Sequence, residues 1–169
     1  MAAMRFRLLS LFTCLAVIAA ACGGGDDGAS EADQELVDAL TAYFVDPAND
    51  TIAYVQAEAE CSAEKIVSDI GADRLGEVGV TAEFVPELEE TGFSAEEFRT
   101  VVAVFRECVD LRARFIEVVS EGFGQEAAEC FADALGEDVI AQSLEDELTG
   151  AEDSTDEAFE TAASFCGLG

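Results

Sequence analysis

The stretch SAEEFRTVVAVFRECVDLRARFIEVVSE (residues 94–121) carries the clearest periodicity in the chain. Phe98, Val101, Phe105, Cys108, Arg112, Phe115 and Val119 fall at alternating steps of three and four, which places them on one face of an α-helix. Ser94 and Glu97 have the spacing of a capping box, in which serine accepts from the third helical amide and glutamate accepts in return. One long helix over 94–121 is therefore predicted, buried along that stripe. Arg112 is the stripe's one charged member. Its expected role is to pair with an acid across a bundle; gripping the carboxylate of an anionic ligand is the other role open to it. Cys108, on the buried side, reads as a structural staple rather than a reactive thiol.

Helical spacing extends in both directions. Residues 32–45 form a stripe of Leu36, Val37, Leu40, Tyr43 and Phe44, broken by Pro47. Asn49 or Asp50 can cap a second helix running to Ile70, with Gly71 as its stop. A short helix is expected over 72–77. The connection 78–92 is expected to tuck Phe84 and Val85 against the core. Further helices are predicted over 124–135 and 137–148, and a last one from a second capping box, Ser154 to Glu157, to Cys166. No sustained two-residue alternation exists, so the fold class is all-α, a compact helical bundle.

The bundle reads as two divergent repeats, about 35–108 and 109–166, sharing the long helix as a hinge. The tripeptide AEC occurs at Ala59-Glu60-Cys61 and at Ala128-Glu129-Cys130, followed by Ala63 and Ala132 respectively. CVDL (Cys108 to Leu111) opens the second half much as VDAL (Val37 to Leu40) opens the first. Two units are too few for an open solenoid and should pack on each other.

Of six cysteines, Cys14 lies in an apolar leader. Residues 1–21 carry Arg5 and Arg7, then the apolar run LLSLFTCLAVI, then Ala19-Ala20-Ala21, the layout of a signal peptide. The run is shorter than the roughly 20 residues of a spanning helix. Ala19 to Cys22 resembles a bacterial lipoprotein box, with alanine at the position where leucine is commonest. Lipidation of Cys22 is the expectation, followed by a flexible Gly/Asp tether over 22–33 and an acidic helical domain over 34–169. If Cys22 is consumed, four cysteines remain and can pair evenly in an oxidising compartment. Three pairings are possible and the repeat permits all of them. Locality selects Cys61–Cys108 and Cys130–Cys166, each closing one helical unit and each stabilising by about 4 kcal/mol on the loop-entropy estimate.

The ACGGG junction, the AEC and CVDL elements, DRLGEVGVTA (residues 73–82) and the terminal FCGLG together resemble small cysteine-containing lipoproteins of actinobacteria. That resemblance implies an exported protein on the outer face of the cytoplasmic membrane, held by its lipid. It implies no activity.

The charge is one-sided: eight Lys and Arg against 37 Asp and Glu, a formal net charge of −29, with no basic residue after Arg114. Such a surface repels nucleic acid and anionic lipid headgroups and would attract divalent cations, cationic peptides or a basic protein partner; its first expected role is to keep an exported protein soluble. The chain has no histidine, which removes imidazole-based nucleophile systems, general bases and metal ligands. No C-x-x-C and no phosphate-binding glycine loop occur. No enzyme and no cofactor are expected. The acids nearest to a cation loop are Glu145, Asp146, Glu147, Asp153 and Asp156. They lack EF-hand spacing, and helix capping accounts for Ser154 and Glu157, so no metal site is expected. The leading expectation is a non-enzymatic, lipid-anchored interaction protein. The alternative is a small cation-binding or ligand-binding envelope module.

Overall fold

The computed structural model describes residues 30–46, 48, 54–151 and 154–168. The leader, Cys14, Cys22 and most of the tether lie outside the described residues, as do Asn49, Asp50 and Asp153. Eight α-helices follow in order: α1 (Glu31–Val45), α2 (Gln56–Ile70), α3 (Ala72–Glu77), α4 (Ala95–Cys108), α5 (Leu111–Phe123), α6 (Gln125–Leu135), α7 (Glu137–Thr149) and α8 (Asp156–Phe165). A single 3-10 turn, Leu88–Glu90, interrupts the connection between α3 and α4.

Local chemistry sets most boundaries. Ser30 Oγ accepts from the Asp33 amide at 3.1 Å while Asp33 accepts from the Ser30 amide at 2.8 Å. This capping box starts α1 at Glu31, inside the stretch expected to be tether. Ser94 and Glu97 make the predicted box on α4. Helix α2 starts later than its predicted caps. Val55 is extended, and Glu58 reaches back to accept from the Val55 amide at 3.2 Å.

The predicted long helix is two helices. Val109 is extended, with φ −121° and ψ 136°, and its side chain enters the core. Asp110 then caps α5 by accepting from the Ala113 amide at 2.9 Å. An aspartate that bonds a nearby amide offers the backbone an alternative to the helical ladder. After the break the buried face rotates to Leu111 and Ile116, so Arg112 leaves the core stripe and pairs with Asp133 on α6. The repeats therefore share no hinge helix.

Two further expectations fail. Phe84 is 63% exposed, while Val85 is partly buried against the core as expected and Val80 is buried in the same connection. Ser154 does not cap α8; Thr155 occupies the N-cap position with no side-chain cap bond. Ser154 instead gives both its amide and its hydroxyl to Asp146, at 2.9 and 2.7 Å.

The two halves match element by element. In the first, α2 packs on α1, α3 and α4; in the second, α6 packs on α5, α7 and α8. Both α2 and α6 open with Gln, and in each that Gln donates to Glu four residues on, Glu60 at 2.7 Å and Glu129 at 2.8 Å. Ala59, Ala63, Ala128 and Ala132 are fully buried, so neighbouring helices approach closely at equivalent places. Cys61 on α2 is joined to Cys108 at the end of α4, and Cys130 on α6 to Cys166 just after α8. Each half also holds an aromatic triad: Phe44, Tyr54 and Phe105 in the first, Phe115, Phe131 and Phe159 in the second. The halves close on each other through α4 and α7, and one large apolar core runs through both.

Gly71 and Gly136 turn the chain sharply from one helix into the next. Their backbones lie at φ 89°, ψ 139° and φ 76°, ψ 158°, a region that residues with a Cβ almost never enter. Neither has an atom within 4 Å of where a Cβ would stand, so the penalty of substitution there is purely conformational. Gly136→Ala should lower unfolding free energy by about 1–3 kcal/mol with no loss of core packing, measured by chemical denaturation of the oxidised protein. A neutral result would show that the corner relaxes without strain.

Candidate interaction surface

The side chains that organise this molecule's surface are its six described cations, and every one is tied to an acid. Lys65 meets Glu107 at 2.5 Å, Arg99 meets Glu145 at 2.9 Å, Arg112 meets Asp133 at 2.5 Å, and Arg106 meets Asp138. Arg74 holds Glu97 at 2.6 Å and Glu77 at 3.2 Å. Exposed pairs of this kind contribute little each to stability. Their consequence for function is that the cations are already engaged, while the remaining acids greatly outnumber them.

One pair differs. Arg114 on α5 crosses to Glu58 on α2 at 2.5 Å, with only 13% and 15% of the two side chains exposed. Arg114 also holds Glu117 at 2.9 Å. Glu58 accepts from the Asp110 amide at 3.2 Å, so one carboxylate ties together the start of α2, the break after α4 and the first turns of α5. Burial alone would raise the Glu58 carboxyl. The Arg114 hydrogen bond and the Asp110 and Val55 amides outweigh that and hold it below the ordinary carboxylate value. Burial likewise opposes the charge on Arg114, and the bonds to Glu58 and Glu117 reverse that effect, so its pKa is raised. Nearby Tyr54 is pushed up to about 12, mainly by burial and then by the Glu58 charge.

The acids singled out from sequence are dispersed among different duties. Glu145 holds Arg99. Asp146 is buried and accepts from Gln142 at 2.8 Å and from Ser154, which keeps its carboxyl below the ordinary value and fastens the α7–α8 connection. Glu147 borders a cleft of about 240 Å³ between α5, α7 and α8, lined otherwise by Leu111, Phe115, Val118, Ile140, Leu144 and Phe159, with Arg114 at its edge. Asp156 opens α8 and Asp153 lies outside the described residues. Among the described residues no three acids or cysteines are grouped so that they could hold a metal ion.

Sequence reasoning missed a second concavity. Phe123 at the end of α5 and Phe165 at the end of α8 are 60% and 80% exposed, and both line an open depression of about 530 Å³. Its other walls are Gln125, Glu126, Ala127 and the Cys130–Cys166 disulfide. The available signal was that Phe165 falls off the apolar stripe of Phe159, Ala162 and Cys166.

Fold and surface together define a disulfide-stapled all-α domain with an acidic exterior, of a kind suited to an oxidising compartment. Comparison of the chain with protein-family models, with curated proteins and with solved structures finds no match. Among the described residues no helix is long and apolar enough to cross a membrane.

Removing the charge of Glu58 would leave Arg114 buried against a neutral partner. Glu58→Gln should therefore destabilise by about 2–4 kcal/mol in urea unfolding at neutral pH. Glu97, held by the Arg74 guanidinium and the Ser94 amide, is lowered to about 2. Both carboxylates titrate lower in the folded state than in the unfolded chain, so their contribution is present above about pH 4.5 and is lost as pH falls toward 2. The Glu58→Gln, Glu97→Gln double variant should show a flatter loss of stability across that window. An unchanged slope would place the acid sensitivity elsewhere.

Proposed function

We propose that this chain is an exported, lipid-anchored protein without catalytic activity, whose stapled helical domain presents an acidic surface to a basic protein or peptide. The supporting observation is the state of its cations. All six basic side chains beyond the leader are held by acids, and 37 acids stand against them. A surface of one sign with its counter-charges already spent attracts cationic macromolecules over several ångströms and repels phosphate backbones and anionic headgroups.

Anchoring rests on the sequence. The alanine-rich junction before Cys22 and the even pairing of the other mature cysteines favour thioether modification of that residue. A diacylated and N-acylated cysteine would hold the domain lastingly at the membrane, because burial contributes about 0.8 kcal/mol per methylene and more than one chain is present. The protein then acts where its acidic face meets a partner near the bilayer.

Two measurements test this. Intact-mass analysis of the exported protein should find Cys22 as a diacylglyceryl-modified N-terminus; an unmodified Cys22 with a free thiol would remove the anchor. Titration with a lysine-rich peptide should give saturable heat that weakens steeply between low and physiological salt. Absence of saturable heat at low salt would reject the acidic-surface role.

A further inference from the structure

We propose that the depression between Phe123 and Phe165 is the docking site for an arginine-bearing segment of the basic partner. The inference rests on the acidic-surface reading and locates its contact. Phe123 and Phe165 are two of the most exposed large apolar side chains among the described residues, and they face one concavity. The third exposed phenylalanine, Phe84, stands apart in the α3–α4 connection. A phenyl ring offers 150–250 Å² for burial, so two left open at one place mark a contact surface rather than scatter.

Charge decides the occupant. Among the described residues, Glu126 is the only charged one lining the depression. Of the helices that border it, α6 and α8 carry acids and no lysine or arginine, and α5 carries its two arginines, Arg112 and Arg114, in its first turns, the former paired with Asp133. The last cation in the chain, Arg114, is committed to Glu58 and Glu117. A second copy of this acidic chain, or an anionic membrane, would bring like charge to the same rim. A guanidinium satisfies both features at once. Its plane and aliphatic stem stack on phenyl faces through cation–π attraction, and its fork reaches a carboxylate such as Glu126. One wall is fixed, because the Cys130–Cys166 staple, which lines the depression, holds α6 to the end of α8. At about 530 Å³ the concavity takes a few side chains rather than one.

The test uses the full oxidised chain in detergent and a synthetic peptide of alternating arginine and alanine, with its citrulline counterpart as the uncharged control of the same shape. The arginine peptide should bind the native protein saturably. It should bind the Phe123→Ala, Phe165→Ala double variant at least tenfold more weakly and Glu126→Gln about threefold more weakly, with the citrulline peptide silent. Phe84→Ala should leave binding unchanged. Both substituted rings are exposed, and circular dichroism and a free-thiol count unchanged from the native protein verify the fold of each variant. If the arginine peptide binds the double variant as well as the native protein, this site is wrong while the acidic-surface reading stands. If it binds neither, both are wrong. Equal binding of the citrulline peptide would show that the occupant is apolar rather than cationic. A native dimer that the double variant dissolves, seen by sedimentation, would assign the face to self-association. Either of those two results overturns the proposal.

Discussion

The contact on which the arrangement depends is the Glu58–Arg114 pair. Its net contribution to stability is modest, because taking both charges out of water consumes most of their attraction. Its geometric consequence is larger. Glu58 receives Arg114 from α5, the Asp110 amide from the break and the Val55 amide from its own helix start. Those three bonds can be satisfied together only if the first half ends and the second begins in one relative placement. Losing either partner would strand a charge in a site built for two, which is why the pair specifies more than it stabilises.

Around that pin the two halves repeat one construction. A central helix with buried alanines is flanked by others, stapled by a disulfide to the end of the half's last helix, and filled by three aromatic rings. The staples close loops of comparable size, with sequence separations of 47 and 36 residues. The halves differ where their helices are joined. The first joins α3 to α4 by a long connection over 78–94, whereas the second joins α5, α6 and α7 through single glycines, Gly124 and Gly136; Gly71 does the same between α2 and α3.

The exterior follows from arithmetic that the fold does not relieve. Six cations meet nearby acids and add little stability there, yet this removes them from the surface available to a partner. What remains is an acidic shell interrupted by apolar surface, the Phe123–Phe165 depression among it. Long-range attraction from the shell and short-range burial at the rings are complementary properties, the first steering encounter and the second fixing position.

Periodicity alone made the helices legible, since apolar residues three and four apart can be buried together only on a helix. The apolar stripe placed the start of α1 and capping chemistry that of α4 within a residue or two, and the recurring AEC tripeptide exposed the repeat. The composition by itself established the charge and excluded imidazole chemistry. The tertiary structure decided what depends on partners distant in sequence. The Val109–Asp110 break is hidden by an unbroken stripe: Asp110 caps the Ala113 amide in place of the helical ladder, and its own amide goes to Glu58, 52 residues away. Ser154 has the sequence of a helix cap, yet a buried Asp146 competes for it and wins. Phe165 falls off the stripe of Phe159, Ala162 and Cys166, and the packing of α8 on α6 leaves its ring 80% exposed. Local pattern fixes which residues can form a helix; which side chain a polar group finally bonds, and which ring is left in water, is settled by what the fold brings alongside.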